Sequence, residues 1–440
     1  MHSLTSLPTE ILADIVANLG PSQADHFNFR HDYQPDVSLY QLARTCKTLL
    51  PLCLPKLYEI CNLKTTDGFQ RSRSLLRTLA TKPDIACLVK RVIVNGSLWV
   101  TKDIQDGVII SAEDAELFNR ILEEKLDMAT VTPLRKLQYK DELQNDHDLL
   151  DTIGKALACV ALAVVPNVTS IIFSSHYKSL GNFKPGSFPA LDTFSLQHAD
   201  TEGGSDFAYA QGVLNVAPNV KRFFGWSITC LPRIPYPSIR EVVLGYSCID
   251  SDEAAHIPTA FPNLERFTYV YGGACVSDHQ SASSESLSGA LISLKKTLKH
   301  VELGTYDFEM DLIEDSDDED PVMKSLSQME VLETLRLPSL YICKIDGDGD
   351  DEDSESKIDL VDFLPSSIQS VYIEGAESCQ LQDMLKLPKV ALEKFPVLRH
   401  VTFASLEESL KDVVQEAYNG SRIECSFQGE EIDEYSCCSE

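Results

Sequence analysis

Positive charge is what this chain has least of: 38 Lys and Arg stand against 67 Asp and Glu in 440 residues, a formal net charge of -29. That balance disfavours a broad electrostatic footprint on DNA, RNA or anionic lipid, so neither nucleic acid nor a membrane is expected as a partner. No apolar run reaches the roughly 20 residues that a membrane-crossing helix needs. The most apolar stretch, Ala156 to Val165, is half that length and reads as a buried helix. Met1 to Glu10 lacks a basic cluster followed by an apolar run, so no secretory signal is expected, and the chain is placed in the cytoplasm, the nucleus or both.

The 13 Cys include no C-x-x-C pair, which fits reduced packing thiols better than a disulfide framework or a zinc site. There is no G-x-x-x-x-G-K-[ST], no H-E-x-x-H and no G-x-G-x-x-G, and Gly245-Tyr246-Ser247-Cys248-Ile249 lacks the closing Gly of a nucleophile elbow. Asp346-x-Asp348-x-Asp350 begins like a calcium loop but has Asp351 where Gly is required and Lys357 where a bidentate Glu is required. No catalytic residue, cofactor or metal is therefore expected. What is present, 43% hydrophobic residues, is ample for a large folded core.

At the N-terminus, Ile11, Leu12, Ile15, Val16 and Leu19 share one face of a helix, and Pro8 suits its first turn. Gly20-Pro21 ends it, a loop to Asp36 follows, and Leu39, Leu42, Ala43, Cys46 and Leu49 mark a second helix. Pro51 and Pro55 are expected to break that pattern before a short third turn ending at Leu57-Tyr58. Periodicity alone leaves open whether this unit merely caps a larger fold.

The residue types add a resemblance. Leu7-Pro8-x-x-Ile11-Leu12, then Leu42 with Thr45-Cys46-Lys47, then Leu54-Pro55-Lys56-Leu57-Tyr58 resemble the F-box, in the form common among fungal F-box proteins. The resemblance covers about 55 of the 440 residues; Leu49 stands where many members carry Trp, and the loop 20–36 is longer than usual. It implies a module that docks on the Skp adaptor, and through it on a cullin, of a ubiquitin ligase. The adaptor-binding residues it implies are Leu7, Pro8, Ile11, Leu12, Ile15, Leu42, Cys46 and Leu57. Such docking lays an apolar helix face in a groove.

Beyond residue 85 one pattern recurs, apolar-x-x-apolar-x-apolar, beginning at Val89, Val168, Leu191, Ile239, Leu264, Leu298, Leu332, Ile368 and Leu398, with a weaker copy at Val220. Each copy reads as a short strand, and the apolar stretches between them, such as Ala156 to Val165, Leu287 to Leu294 and Leu381 to Leu392, read as helices. From Val168 onward the copies are spaced 19 to 36 residues apart, so residues 85–410 resemble an irregular leucine-rich-repeat solenoid, a horseshoe of the α/β class. An ordinary α/β sheet with crossover helices looks similar locally and stays open. Between Val89 and Val168, Ala112 to Met128 reads as a helix with Leu117, Phe118, Ile121, Leu122 and Leu126 on one face. The expected organisation is an F-box-like unit at 1–60, a helical linker or first cap at 61–84, the solenoid at 85–410, and a C-terminal cap with an acidic tail at 411–440.

Three segments concentrate the negative charge: Glu314 to Asp320 carries 6 acids, Asp346 to Glu355 carries 7 and Glu430 to Glu440 carries 5, none with a base. The first two follow neighbouring repeat strands in a common phase, with the Ser-rich Ser277 to Ser288 in the same phase one repeat earlier. They are expected to form a rim beside the strand surface. Glu314, Asp315, Asp317, Asp318, Asp348, Asp350 and Asp351 are its target-binding candidates, for a basic partner drawn by long-range attraction; solvated, solubilising insertions are the other reading. The expected function is a non-enzymatic substrate-recognition subunit, and the alternative is a repeat scaffold whose N-terminal helices only cap it.

Overall fold

The computed structural model describes residues 7–19, 37–45, 47–63, 69–95, 110–127, 134, 147–175, 179–198, 204–272, 282–305, 322–342, 359–375 and 380–429. The chain is mixed α/β and forms two compact units, one of residues 1–201 and 205–226, the other of 202–204 and 227–440. Among the described residues it has thirteen helices and, apart from two short strands, twelve strands that pair in parallel.

The first unit opens with α1 (Thr9–Asn18), α2 (Val37–Thr45) and α3 (Leu50–Leu57). Their core is Val16, Leu39, Ala43 and Cys53, with Leu19, Leu42, Leu52 and Leu57 packed against it. These are the positions that helical spacing places on the inner faces. The second helix stops at Thr45, ahead of both prolines, and the short third helix ends at Leu57 as expected; Pro51 sits in its first turn, where no backbone donor is needed, and Pro55 is carried inside it. Pro55 forgoes one backbone hydrogen bond within the helix, while Cys53 two residues before it is buried in the core with Val16, Leu39 and Ala43.

β1 (Ile60–Leu63) follows directly, then α4 (Phe69–Thr81), α5 (Pro83–Ala86) and β2 (Arg91–Asn95). Next come α6 (Ala112–Lys125), α7 (His147–Val164), β3 (Ser170–Ser175), β4 (Thr193–His198), the short β5 (Ser205–Asp206), α8 (Ala208–Leu214) and β6 (Arg222–Trp226). The helix expected over Ala112 to Met128 ends three residues early. It buries Phe118, Leu122 and Leu126 and starts at Ser111, whose hydroxyl accepts from the Asp114 N–H at 3.2 Å. The Asp114 carboxylate is itself buried and paired with Arg73 and Arg77 of α4. Ala156 to Val165 lies in α7, as its apolar run requires.

The second unit contains the short β7 (Ile228–Cys230), then β8 (Glu241–Ser247), α9 (Ser251–Ala260), β9 (Arg266–Tyr271), α10 (Ser284–Ser293) and β10 (His300–Thr305). It continues through β11 (Thr334–Pro338), α11 (Leu360–Phe363), β12 (Ser370–Glu374), α12 (Leu381–Lys394), β13 (His400–Ala404), α13 (Glu408–Tyr418) and β14 (Glu424–Gln428).

Within each unit the paired strands follow one another in chain order: β1-β2-β3-β4-β6 in the first and β8 to β14 in the second. All ten expected strands form, and the second and third apolar positions of the pattern meet across the ladder. Val92 faces Ile171 and Val94 faces Phe173; Phe267 stands between Val242 and Val301; Leu335 stands between Val301 and Val371; Ile373 faces Phe403. A one-residue slip would turn every one of these to the other face, so the buried rows hold the register.

Most steps also repeat one hydrogen-bond device. Two consecutive N–H groups donate to a single carbonyl of the preceding step: Thr169 and Ser170 to Lys90, Lys221 and Arg222 to Asp192, Lys299 and His300 to Glu265, Arg399 and His400 to Gln369. The Pro-Asn punctuation has a structural task here. Asn167, Asn219 and Asn263 each donate from Nδ2 to a carbonyl one step back, of Cys87, Pro189 and Pro237, at 2.8–3.0 Å. A short amide bridging two turns satisfies carbonyls that no helix or strand partner reaches.

Candidate docking surfaces

The first surface is on α1. Pro8 occupies its N-cap position, and the Pro8 carbonyl accepts the Leu12 N–H at 3.1 Å, which fixes the start of the helix. Leu7 and Ile11, one turn apart, are 39% and 45% exposed, and Pro8 is exposed between them. Leu12 is 2% exposed, so its side chain is buried and not presented at the surface. Ile15, Leu42 and Leu57 are half-buried, the last two against the core. Cys46 lies outside the described residues. Leu49, at the position where many F-boxes carry Trp, is buried. Tyr40 and Leu50, which the resemblance did not single out, are exposed, and the Arg44 guanidinium lies 5.5 Å from the Tyr40 ring centre. Exposed Leu and Ile on one helix face of a small unit with a filled core are apolar surface that packing within the unit does not use.

The acidic candidates Glu314, Asp315, Asp317, Asp318, Asp348, Asp350 and Asp351 lie outside the described residues, as do Glu430 to Glu440. The strands that precede the first two segments are described. β10 and β11 are parallel neighbours, and the two acidic segments follow them in the sequence.

A third surface escaped the sequence reading: the strand face opposite the buried rows in the second unit. Thr268, Glu302, Arg336 and Tyr372 stand in one row across β9, β10, β11 and β12. The Thr268 hydroxyl donates to Glu302 Oε2 at 3.3 Å, and Arg336 reaches Glu302 at 3.7 Å and Glu374 at 4.0 Å. The Arg336 guanidinium lies 4.2 Å over the Tyr372 ring, a cation–π contact that holds its plane against the sheet. The signal was available: these are the unassigned middle positions of the repeat pattern, and reading them across copies gives Thr, Glu, Arg, Tyr. Because both ion pairs are solvent-screened, Arg336→Ala should change stability by only about 0–1 kcal/mol. Thermal melts of that variant check it, and a large drop would mean the cluster is structural.

At the same phase Ile172, Ser195 and Phe224 in the first unit and Val243 in the second are buried, while Ile93 is half-buried; Gln197, two residues beyond Ser195, is buried as well. Ser170 Oγ, Ser195 Oγ and Gln197 Nε2 find no hydrogen-bond partner among the described residues.

His300 lies beside this face, with Arg266 and Thr334 as its strand neighbours. Burial first, then the Arg266 and Lys299 cations, hold its pKa below the ordinary 6.5, against the opposing pull of Glu333 and Glu265. The unfolded chain therefore takes up this proton more readily than the folded one. The His300 contribution to stability is lost as pH falls below about 6.5 and levels off beneath the folded value. An NMR titration should place the His300 midpoint below 6.5 and move it upward in Arg266→Gln; a midpoint at or above 6.5 would contradict the burial.

Among the described residues no group of three His, Cys, Asp or Glu is placed to hold a metal ion, and no helix is long and apolar enough to cross a membrane. No protein-family model matches the chain, and no curated protein matches it.

Proposed function

We propose that this chain is a non-catalytic recognition subunit of a cullin-based ubiquitin ligase. Its N-terminal helices act as an F-box on the Skp adaptor, and its repeats form a leucine-rich-repeat solenoid that presents a target. The observation that carries the adaptor reading is the exposure of Leu7, Pro8 and Ile11 on a helical unit whose core is already filled by Val16, Leu39, Ala43 and Cys53. Strand order that follows chain order in each unit, with the same carbonyl device at most steps, supports a repeat stack over a doubly wound sheet, whose strand order reverses at a switch point. The target surface would be the Thr268–Glu302–Arg336–Tyr372 face with the acidic segments that follow β10 and β11, for a basic partner. Such a subunit contributes proximity and orientation, not bond chemistry.

The test is binding of purified Skp adaptor to the intact, folded chain by calorimetry. A dissociation constant of about 1 µM or tighter is expected. Absence of binding would leave a repeat scaffold whose helical N-terminus only caps it.

A further inference from the structure

β14 is hydrogen-bonded on one side only: it pairs in parallel with β13, and among the described residues nothing meets its other edge. The ladder identifies which groups that edge presents. Glu424 N donates to the Arg399 carbonyl at 2.8 Å, and the Gln428 carbonyl accepts from Ser405 N at 3.1 Å. In a parallel pair alternate residues turn both backbone groups to the same neighbour. Glu424, Ser426 and Gln428 therefore face β13, while Cys425 and Phe427 direct their N–H and C=O groups outward.

That edge is self-complementary. Laid antiparallel about a two-fold axis at Ser426, two copies would place Cys425 opposite Phe427 of the second copy and exchange both backbone hydrogen bonds at each of the two pairs. Ser426 would oppose Ser426, and Glu424 would oppose Gln428, so no like charges face each other directly. The half-buried Cys425 and Phe427 side chains would continue the apolar row that Val401 and Phe403 begin on β13. Edges of this kind are sites of unwanted pairing unless charge guards them, and here Gly429 is followed by five acids and no base in Glu430 to Glu440.

We propose that the outer edge of β14 is a self-association surface for a second copy of this chain, and that the negative charge of residues 430–440 restrains it. At low ionic strength two such segments repel each other; at about 1 M salt, where the screening length is roughly 3 Å, that restraint is lost. A two-fold pair consumes both edges, so the product is a closed dimer and not a fibre.

Sedimentation velocity tests this on the full chain, on a chain ending at Gly429, and on a full-length variant with Glu430, Glu431, Asp433, Glu434 and Glu440 all changed to Gln or Asn. The full chain should be a monomer at low salt and shift to dimer at high salt. The other two should dimerise at low salt. Dimerisation of the shortened chain but not of the neutralised one would overturn the role of charge; monomers throughout would overturn the whole proposal. The register has its own test in the shortened chain, where Ser426→Cys should yield a disulfide dimer joined at position 426, because directly opposed non-hydrogen-bonded positions lie about 4.5 Å apart. Cys425→Pro removes an outward donor without touching a bond to β13 and should return the shortened chain to monomer, with circular dichroism showing that it stays folded. A dimer that persists in Cys425→Pro, or that does not crosslink through position 426, would place the contact elsewhere.

Discussion

Changing Leu7 and Ile11 together to Asp should weaken the adaptor binding proposed above by at least about 100-fold, roughly 2.7 kcal/mol, while leaving the melting temperature of the chain unchanged. Both side chains are substantially exposed, so their removal costs the free protein little. The new carboxylates fall just before α1 and in its first turn, where the helix dipole tolerates or favours negative charge. In a complex the same positions would bury two unpaired charges in an apolar groove, a penalty well beyond the lost contacts. Leu12 is the wrong residue for this test: Asp there would bury an unpaired charge and destabilise the fold, so lost binding would say nothing about docking. Calorimetric titration with adaptor, run beside thermal melts, separates the cases. Unchanged affinity in the folded double variant would remove α1 as the docking face.

Residues 11 and 12 also show where sequence reasoning stops. Adjacent residues on a helix are 100° apart, and a five-residue apolar stripe over Ile11, Leu12, Ile15, Val16 and Leu19 is wider than the groove its partners offer. Periodicity places the stripe, and only the packing of α2 and α3 decides that Leu12 and Val16 go inside while Ile11 stays out. The strands were far more legible. Their pattern has period two, each copy must present the same face as its neighbour, and all ten expected strands pair in the register that the apolar positions require. Apart from the short β5 and β7, two strands were missed, for separate causes. β1 carries the same pattern in Tyr58-x-x-Cys61-x-Leu63, but its first residue adjoins a Pro-rich helix and reads as that helix's end. β14 has Arg422 where the pattern calls for an apolar residue. That side chain donates back to the Ala391 and Phe395 carbonyls at the end of α12, bridging to the step before as the Asn side chains do earlier. The exposed strand face was half legible, since Thr268, Glu302, Arg336 and Tyr372 can be read as a row once the repeat is phased. That Ile172 and Phe224, at the same phase, are covered could not be read from one strand at a time.

The strand register has a consequence large enough to measure. Phe267→Ala should destabilise the second unit by about 3–5 kcal/mol. The Phe267 ring is fully buried near the start of β9, with Val242 on one side and Val301 on the other, and its centroid lies 6.4 Å from that of Tyr269 in a near-parallel arrangement. Truncation removes the ring and leaves a cavity between two β-branched neighbours whose stiff side chains cannot close it. Since the chain contains two compact units, a single melting temperature would mix their transitions, and hydrogen exchange of the β8, β9 and β10 amides is the better measurement. Protection there should fall by two to four orders of magnitude, following roughly 1.4 kcal/mol per factor of ten, while protection in β2 and β3 should be unchanged. Leu392→Ala, at a side chain 72% exposed on α12, serves as the comparison and should leave both sets unaffected. If Phe267→Ala also left β8–β10 protection intact, the ring would not be the keystone of its row, and the match of apolar positions across the ladder would have to be carried by the flanking valines alone.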